Sequence, residues 1–348
     1  MNPAIIVDNN PSLKGSVWEA DGFTATIIPG EEIINYDTGE YIILICMPRN
    51  QIESVEKQVK EYHLEIPCYS YQLAMNAIAK IVYKARGEKW EVDYKMQVKE
   101  WLKHIKSEYD WHNISLSSFV GNEYKGLTTI ARLEMYDIKE GDVIMDVGCG
   151  PMLKYQNIIN GVNVKMIPVD PLAHLYNHIL EKYNIKITNS INFALGEHLS
   201  MFFEKESANY ILFDNSLDHT INPVRCLLEA YKLLKKGGVI SLYHCAVESM
   251  FNWHNDLHQW DFYEYEGDFY IANVNAKINI KHLFGKSAKI EVYEEYWDAY
   301  KAQAVVVNIV KEKDVDFEVV DKYDCNLDNG HLISALYESV INVENFGR

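Results

Sequence analysis

Apolar residues recur along this 348-residue chain in two rhythms, and these divide it into elements. Short unbroken apolar runs read as strands: 4–7 (AIIV), 41–46 (YIILIC), 143–147 (VIMDV), 210–214 (YILFD) and 239–244 (VISLYH). Apolar positions at helical spacing fill 51–62, 71–85, 93–109 and 227–234. Two late runs, AKIEVYEEY and AQAVVVNIV, read as a closing pair of strands over residues 290–311. Residues 244–273 follow neither rhythm. They are dense in Trp, His, Tyr and Asn, and they end in a hairpin pattern around Glu266-Gly267-Asp268.

The strand 143–147 enters the turn Gly148-Cys149-Gly150, and the next apolar run, VKMIPVD, ends in Asp170. Glycine lets the backbone turn sharply and approach a ligand closely. An acid closing the second strand can hold both hydroxyls of a ribose. Strand, glycine turn, helix and second-strand acid therefore predict a nucleoside-binding site. A dinucleotide fingerprint would place a third glycine where Leu153 stands, and here Pro151 follows the second glycine. Asp146, two residues before the turn, suits a ligand carrying an ammonium group and repels a pyrophosphate.

At Asp146-Val147-Gly148-Cys149-Gly150 the sequence resembles the class I S-adenosylmethionine (SAM) methyltransferases, whose first strand ends in D/E-x-G-x-G. The resemblance continues through Ala194-Leu195-Gly196-Glu197-His198-Leu199, the fourth-strand run 210–214, and Asn215 to Pro223. It ends with Lys235-Lys236-Gly237-Gly238, which is similar to the family's turn into the fifth strand, with Lys for Pro. It implies an α/β fold, a Rossmann-like seven-stranded methyltransferase sheet, and SAM as cofactor. It further implies that Gly148, Cys149 and Gly150 pass the methionine moiety, with Asp146 fixing that end. Asp170 and Pro171 would lie at the ribose, and Ala194 and Leu195 at the adenine. Asp214 and Asn215 complete the expected cofactor set. Tyr124 lies in the segment that covers the methionine end in related enzymes, and it is expected on the substrate side.

The first 70 residues read as a separate small α/β module. Asp8-Asn9-Asn10-Pro11-Ser12-Leu13-Lys14-Gly15 resembles a segment of a nucleotide-binding domain in bacterial sugar-modifying enzymes, but the first strand and glycine turn of such a domain are missing. Docking or dimerisation is its expected use, giving a homo-oligomer through this module. Residues 71–112 are expected as a helical connector. Residues 113–348 are expected as the methyltransferase domain, with 245–287 as a substrate-pocket insertion.

A net charge of −17 argues against a nucleic-acid partner, because phosphate binding needs clustered Lys and Arg. No 18-residue apolar run is present, so no membrane span is expected. The start of the chain lacks a signal-peptide pattern. The six cysteines (46, 68, 149, 226, 245 and 325) have no CxxC spacing, which suits reduced thiols and a cytoplasmic protein.

The insertion leaves the carboxyl edge of the sheet, where ligands of open α/β folds bind. Its aromatic faces beside amide and imidazole groups suit a sugar ring, with Trp253, Gln259 and Trp260 as expected contacts. His258-Gln259-Trp260 resembles a motif of glycan methyltransferases. An alcohol acceptor needs a base for its proton, and histidine has the fitting pKa. His219, His244 and His258 are the candidates. His254, Asp256 and His258 alternate and would share one face of a strand, but with no fourth ligand no metal is expected. The expectation is O-methylation of a sugar in surface-glycan or nucleotide-sugar metabolism. N- or O-methylation of another small metabolite, or a SAM-binding protein without turnover, are the alternatives.

Overall fold

The computed structural model describes residues 5–20, 23–36, 41–46, 49–64, 66–252, 257–298 and 301–315, with residues 334 and 338. The chain forms two compact units, one built on Met1–Met75 and one on Asn76–Trp297. In the first, β1 (Ile5–Val7) pairs in parallel with β3 (Phe23–Ile28), which also takes β2 (Val17–Ala20) antiparallel. Then come β4 (Ile43–Ile45), α1 (Arg49–Glu61) and β5 (Cys68–Ser70), with β4 and β5 parallel. The hairpin of β2 and β3 has no counterpart in the sequence-based expectation.

After α2 (Tyr71–Ala85), β6 (Lys89–Trp90) and α3 (Tyr94–Leu116), the main sheet begins at β7 (Val143–Val147). Asp93 caps α3, its side chain accepting from the Met96 N–H. The expected helix after the glycine turn is absent. Residues 151–157 form no helix, and β8 (Ile158–Ile159) and β9 (Val162–Asn163) follow as an antiparallel hairpin. The reason is local. Pro151 interrupts the start, and Asn160 and Gly161 have φ of 50° and 81°, the positive pair that a two-residue hairpin turn requires. The β-branched Ile158, Ile159 and Val162 then favour strands.

The sheet continues with β10 (Lys165–Asp170), α4 (Ala173–Lys182), β11 (Asn192–Phe193), β12 (Ala208–Asp214), α5 (Pro223–Leu233) and β13 (Leu234–Cys245). The insertion follows as α6 (Glu248–Phe251), β14 (Asp261–Tyr265), β15 (Asp268–Ala272), β16 (Ala276–Asn279) and α7 (Ile280–Phe284). β17 (Ala288–Trp297) and β18 (Ala302–Lys311) close the main sheet. Its seven strands run in the order β11-β10-β7-β12-β13-β18-β17. The first five are parallel, and β18 lies antiparallel on β13.

Side chains alternate across this sheet. Met145, Val147, Ile211, Phe213, Ile240 and Leu242 pack in the core shared with α5 and the insertion. Ile144, Met166, Leu212 and Val239 pack on the opposite side with Ile130, Leu133, Tyr155 and Ile159. Each such large apolar side chain contributes about 1.5–3 kcal/mol by burial. The residues that hairpin β8–β9 supplies thus cover the face that the expected helix would have covered.

The insertion is a sheet in its own right, ordered β14-β15-β16-β6, with its last strand drawn from the connector. Glu266 and Gly267, with φ of 53° and 82°, form the tight turn between β14 and β15. Among the described residues no helix is long and apolar enough to cross a membrane.

Candidate cofactor and acceptor site

The cofactor turn is fixed by its neighbours as well as by its glycines. The Gly148 and Cys149 N–H groups donate to the Val169 carbonyl at 2.8 and 3.2 Å. The Asp170 carboxylate accepts from the Gly150 N–H at 3.0 Å and from the Leu172 N–H at 2.8 Å. Gly148 and Gly150 have φ of 74° and 61°. A Cβ on Gly148 would stand 2.4 Å from Ser216 Cβ, so the loop after β12 also demands glycine there. Ser216 donates from its hydroxyl to the Val147 carbonyl at 2.7 Å, locking that loop to β7. Burial pushes the Asp170 carboxyl up to about 6, with the two backbone N–H groups pulling the other way.

Asp146 and Asp214 point to the same side of the sheet. Asp214 receives hydrogen bonds from Arg132 and Tyr155, and Lys154 Nζ lies 3.1 Å from it. Burial raises the Asp214 carboxyl, but Arg132 and Lys154 outweigh that and hold it below the usual range. Burial and the nearby Asp214 charge push Asp146 up, with Lys154 and Arg132 pulling the other way.

On the other side, the short 3₁₀ turn Leu217–His219 after β12 meets the insertion. His258 Nδ1 lies 2.6 Å from Asp218 Oδ2 and 3.2 Å from His219 Nε2. His244 Nδ1 stands 3.6 Å from the other Asp218 oxygen, and Glu248 Oε2 is 3.8 Å from His258 Nδ1. Asp218 is buried. Desolvation alone would raise it, yet the surrounding histidines hold it well below its ordinary value. Burial lowers His258, but its bond to Asp218 and the Asp218 charge win and raise it to about 9.

Asp218, His219 and His258 bring one ligand atom each within 4.8 Å of the others, a set that could hold a metal. The 2.6 Å Asp218–His258 separation is a hydrogen-bond distance. Two ligands at ~2.0 Å on one tetrahedral ion stand about 3.3 Å apart. The contact has the spacing of a shared proton.

Residues 138–299 match a family described as a methyltransferase domain. This stretch is a class I SAM-dependent methyltransferase domain. Its cofactor is SAM. Among curated proteins, the chain is similar to the sterol 24-C-methyltransferase ERG6 of Saccharomyces cerevisiae, 26% identical over 46% of this chain and 43% of that protein. It is also similar to the Candida albicans sterol 24-C-methyltransferase, 24% identical over 55% of this chain and 53% of that protein. The chain spans about half the length of these relatives. Among solved structures, the CurJ carbon methyltransferase is 18% identical over 51% of each chain, with a TM-score of 0.36.

Within the methyltransferase domain, the remaining expected residues fall in different places. Cys149 donates to the Gly150 carbonyl at 3.2 Å, and burial pushes its thiol well up, away from nucleophilic use. Pro171 is half-buried, and Ala194 and Leu195 are buried beyond β11. Asn215 accepts from the Cys245 N–H at 2.9 Å and ties β12 to β13. Tyr124 packs against the cluster of α3 and α4, with its ring edge towards Phe119. Gln259 is half-buried, and its N–H donates to the Asp218 carbonyl.

Two of the expected residues are fully buried. Trp260 is 0% exposed, stacks on Trp90 at 5.4 Å, and donates to the Thr220 carbonyl. It is a core residue, because a large ring between two sheets gains more from burial than from solvent. His244 is likewise 0% exposed, under Phe262 at 4.7 Å, with Nδ1 3.6 Å from Asp218 Oδ1. Trp253, His254 and Asp256 lie outside the described residues.

Several site groups escaped the sequence reading. Arg132 and Lys154 lie in segments without periodicity. Glu108 and His112 on α3 are 3.0 Å apart, and only their i, i+4 spacing on a helix hinted at the pairing. Burial raises the Glu108 carboxyl, but its bond to His112 and the charges of His219, His112 and His258 hold it below the usual range.

Proposed function

We propose that this chain transfers the methyl group of SAM to a hydroxyl of a sugar, in surface-glycan or nucleotide-sugar metabolism in the cytoplasm. The observation that carries this reading is the cluster in which Asp218 and His219 both meet His258 Nδ1. Buried carboxylates and imidazoles are costly to desolvate unless they are paired. An acceptor with several hydroxyls matches them donor for acceptor.

In this reading Asp170 holds the ribose, Gly148 and Gly150 pass the methionine moiety, and Asp146 takes its ammonium end. Ala194 and Leu195 border the adenine. The methyl carbon is already activated by the sulfonium, so the protein mainly aligns an in-line displacement. The acceptor oxygen forms its bond to carbon as the carbon–sulfur bond breaks. The hydroxyl proton passes to His258 Nε2, whose Nδ1–H is held by Asp218; this tautomer follows from that contact. The products are a methyl ether, S-adenosylhomocysteine and a proton. His219 Nε2 lies at the same Nδ1, and His244 orients Asp218.

The 245–287 insertion supplies the acceptor side through His258 and Gln259. The N-terminal module serves docking or self-association. The test is turnover with SAM on a panel of nucleotide sugars and free glycosides, followed by mass spectrometry of the product. A methylated sugar supports the reading. Methylation confined to amines or to apolar acceptors sinks it.

A further inference from the structure

The helix α3 carries a half-buried hydrogen-bonded pair to the cofactor turn. Glu108 Oε1 and His112 Nε2 are 3.0 Å apart, one helical turn from each other. The His112 ring lies over Gly150, with Cε1 3.7 Å from where a Cβ on that residue would stand. It also sets its edge on Tyr176, with 5.1 Å between ring centres. The Glu108 charge is felt by Asp170 on the cofactor side. It is felt by His258 on the acceptor side. The His112 contact thus sets the Glu108 carboxylate beside the cofactor turn.

SAM and its product differ there by one methyl group and one positive charge. A carboxylate in a desolvated crevice distinguishes that charge far better than water does. We infer that Glu108 is a specificity residue for the charge of the cofactor, its carboxylate facing the sulfonium and favouring SAM over the neutral product thioether. His112 holds that carboxylate in place before the cofactor enters. Once the methyl group has left, the attraction is gone and the product is released more readily. The inference rests on the cofactor and acceptor sides assigned above.

The test is calorimetry on the full chain and on Glu108→Gln with three ligands. These are SAM, S-adenosylhomocysteine, and an analogue with an amine in place of the methylsulfonium. Glu108→Gln is expected to weaken SAM and the amine analogue by at least about fivefold, the loss set by a unit charge pair ~4 Å apart in water, and by more where the crevice is dry. S-adenosylhomocysteine should bind as before, which also shows that the variant is folded. His112→Asn keeps the carboxylate and should keep the preference for the charged ligands. Equal weakening of all three ligands by Glu108→Gln, or of none, overturns the inference. So does loss of the preference in His112→Asn. If the unaltered chain binds none of the three, the cofactor reading itself has failed, which is a distinct result.

Discussion

His258 Nδ1 lies 2.6 Å from the Asp218 carboxylate, joining the insertion to the loop after the fourth parallel strand. In the proposed reading that contact sets the chemistry of the acceptor side. A carboxylate bonded to one ring nitrogen fixes the tautomer and leaves the other nitrogen to receive a proton. His258→Ala is expected to lower turnover by ~10²–10⁴, the usual cost of losing a general base. Its affinity for SAM should stay the same. His244→Ala removes a fully buried ring, so it should lower the melting temperature as well as the rate. Thermal unfolding beside steady-state kinetics separates the two.

The pH profile follows from the same pair. His258 is raised to about 9, so below that pH it carries a proton on both nitrogens and cannot act as a base. Asp218 is held well below its ordinary value and stays ionised throughout. Turnover should therefore rise about tenfold per pH unit below that point and level off near pH 9. The limb belongs to the whole His258–His219–Asp218 cluster. A rate independent of pH between 6 and 9 would mean that no proton is taken up in the rate-limiting step.

Asp170→Ala removes the acceptor of two backbone N–H groups and the carboxylate meant for the ribose. SAM affinity should fall by about 1–3 kcal/mol, the scale of charge-assisted bonds left unmade. Titration calorimetry reads this directly. Unchanged binding would move the ribose acid elsewhere.

Gly148→Ala meets two penalties: a φ of 74° and a contact of 2.4 Å with Ser216 Cβ. Together these should cost at least about 1–3 kcal/mol. Ser216→Gly in the same chain removes the contact but not the positive φ. It should restore part of the stability, as chemical denaturation can show.

A chelator should leave turnover unchanged, because the Asp218–His258 spacing is that of a shared proton. Loss of activity in EDTA, restored by one divalent metal, would instead make these residues its ligands.

The sheet was legible because its strands are buried on both faces and read as unbroken apolar runs, from Val143 to Val147 and from Tyr210 to Asp214. The cofactor turn was legible because Gly148 and Gly150 need conformations that few residues adopt. The helix expected after it was not there. Asn160-Gly161, between Ile159 and Val162, is a hairpin signal in its own right. The aromatic-rich insertion misled in another way. Composition suggested ring faces for a sugar, but Trp260, Phe262 and Phe269 fill the core, since sequence alone does not tell which side of a strand is buried. Arg132 was invisible because its contact with Asp214 arises only when distant segments meet.

The most direct measurement uses SAM carrying an isotope-labelled methyl group. The chain is incubated with nucleotide sugars at pH 8 to 9, and the products are separated and weighed by mass spectrometry. The expected result is label on a sugar oxygen with one equivalent of S-adenosylhomocysteine, and loss of that label in His258→Ala. Tight SAM binding with label on no hydroxyl, or label transfer undiminished in His258→Ala, would contradict hydroxyl methylation by the Asp218–His258 pair.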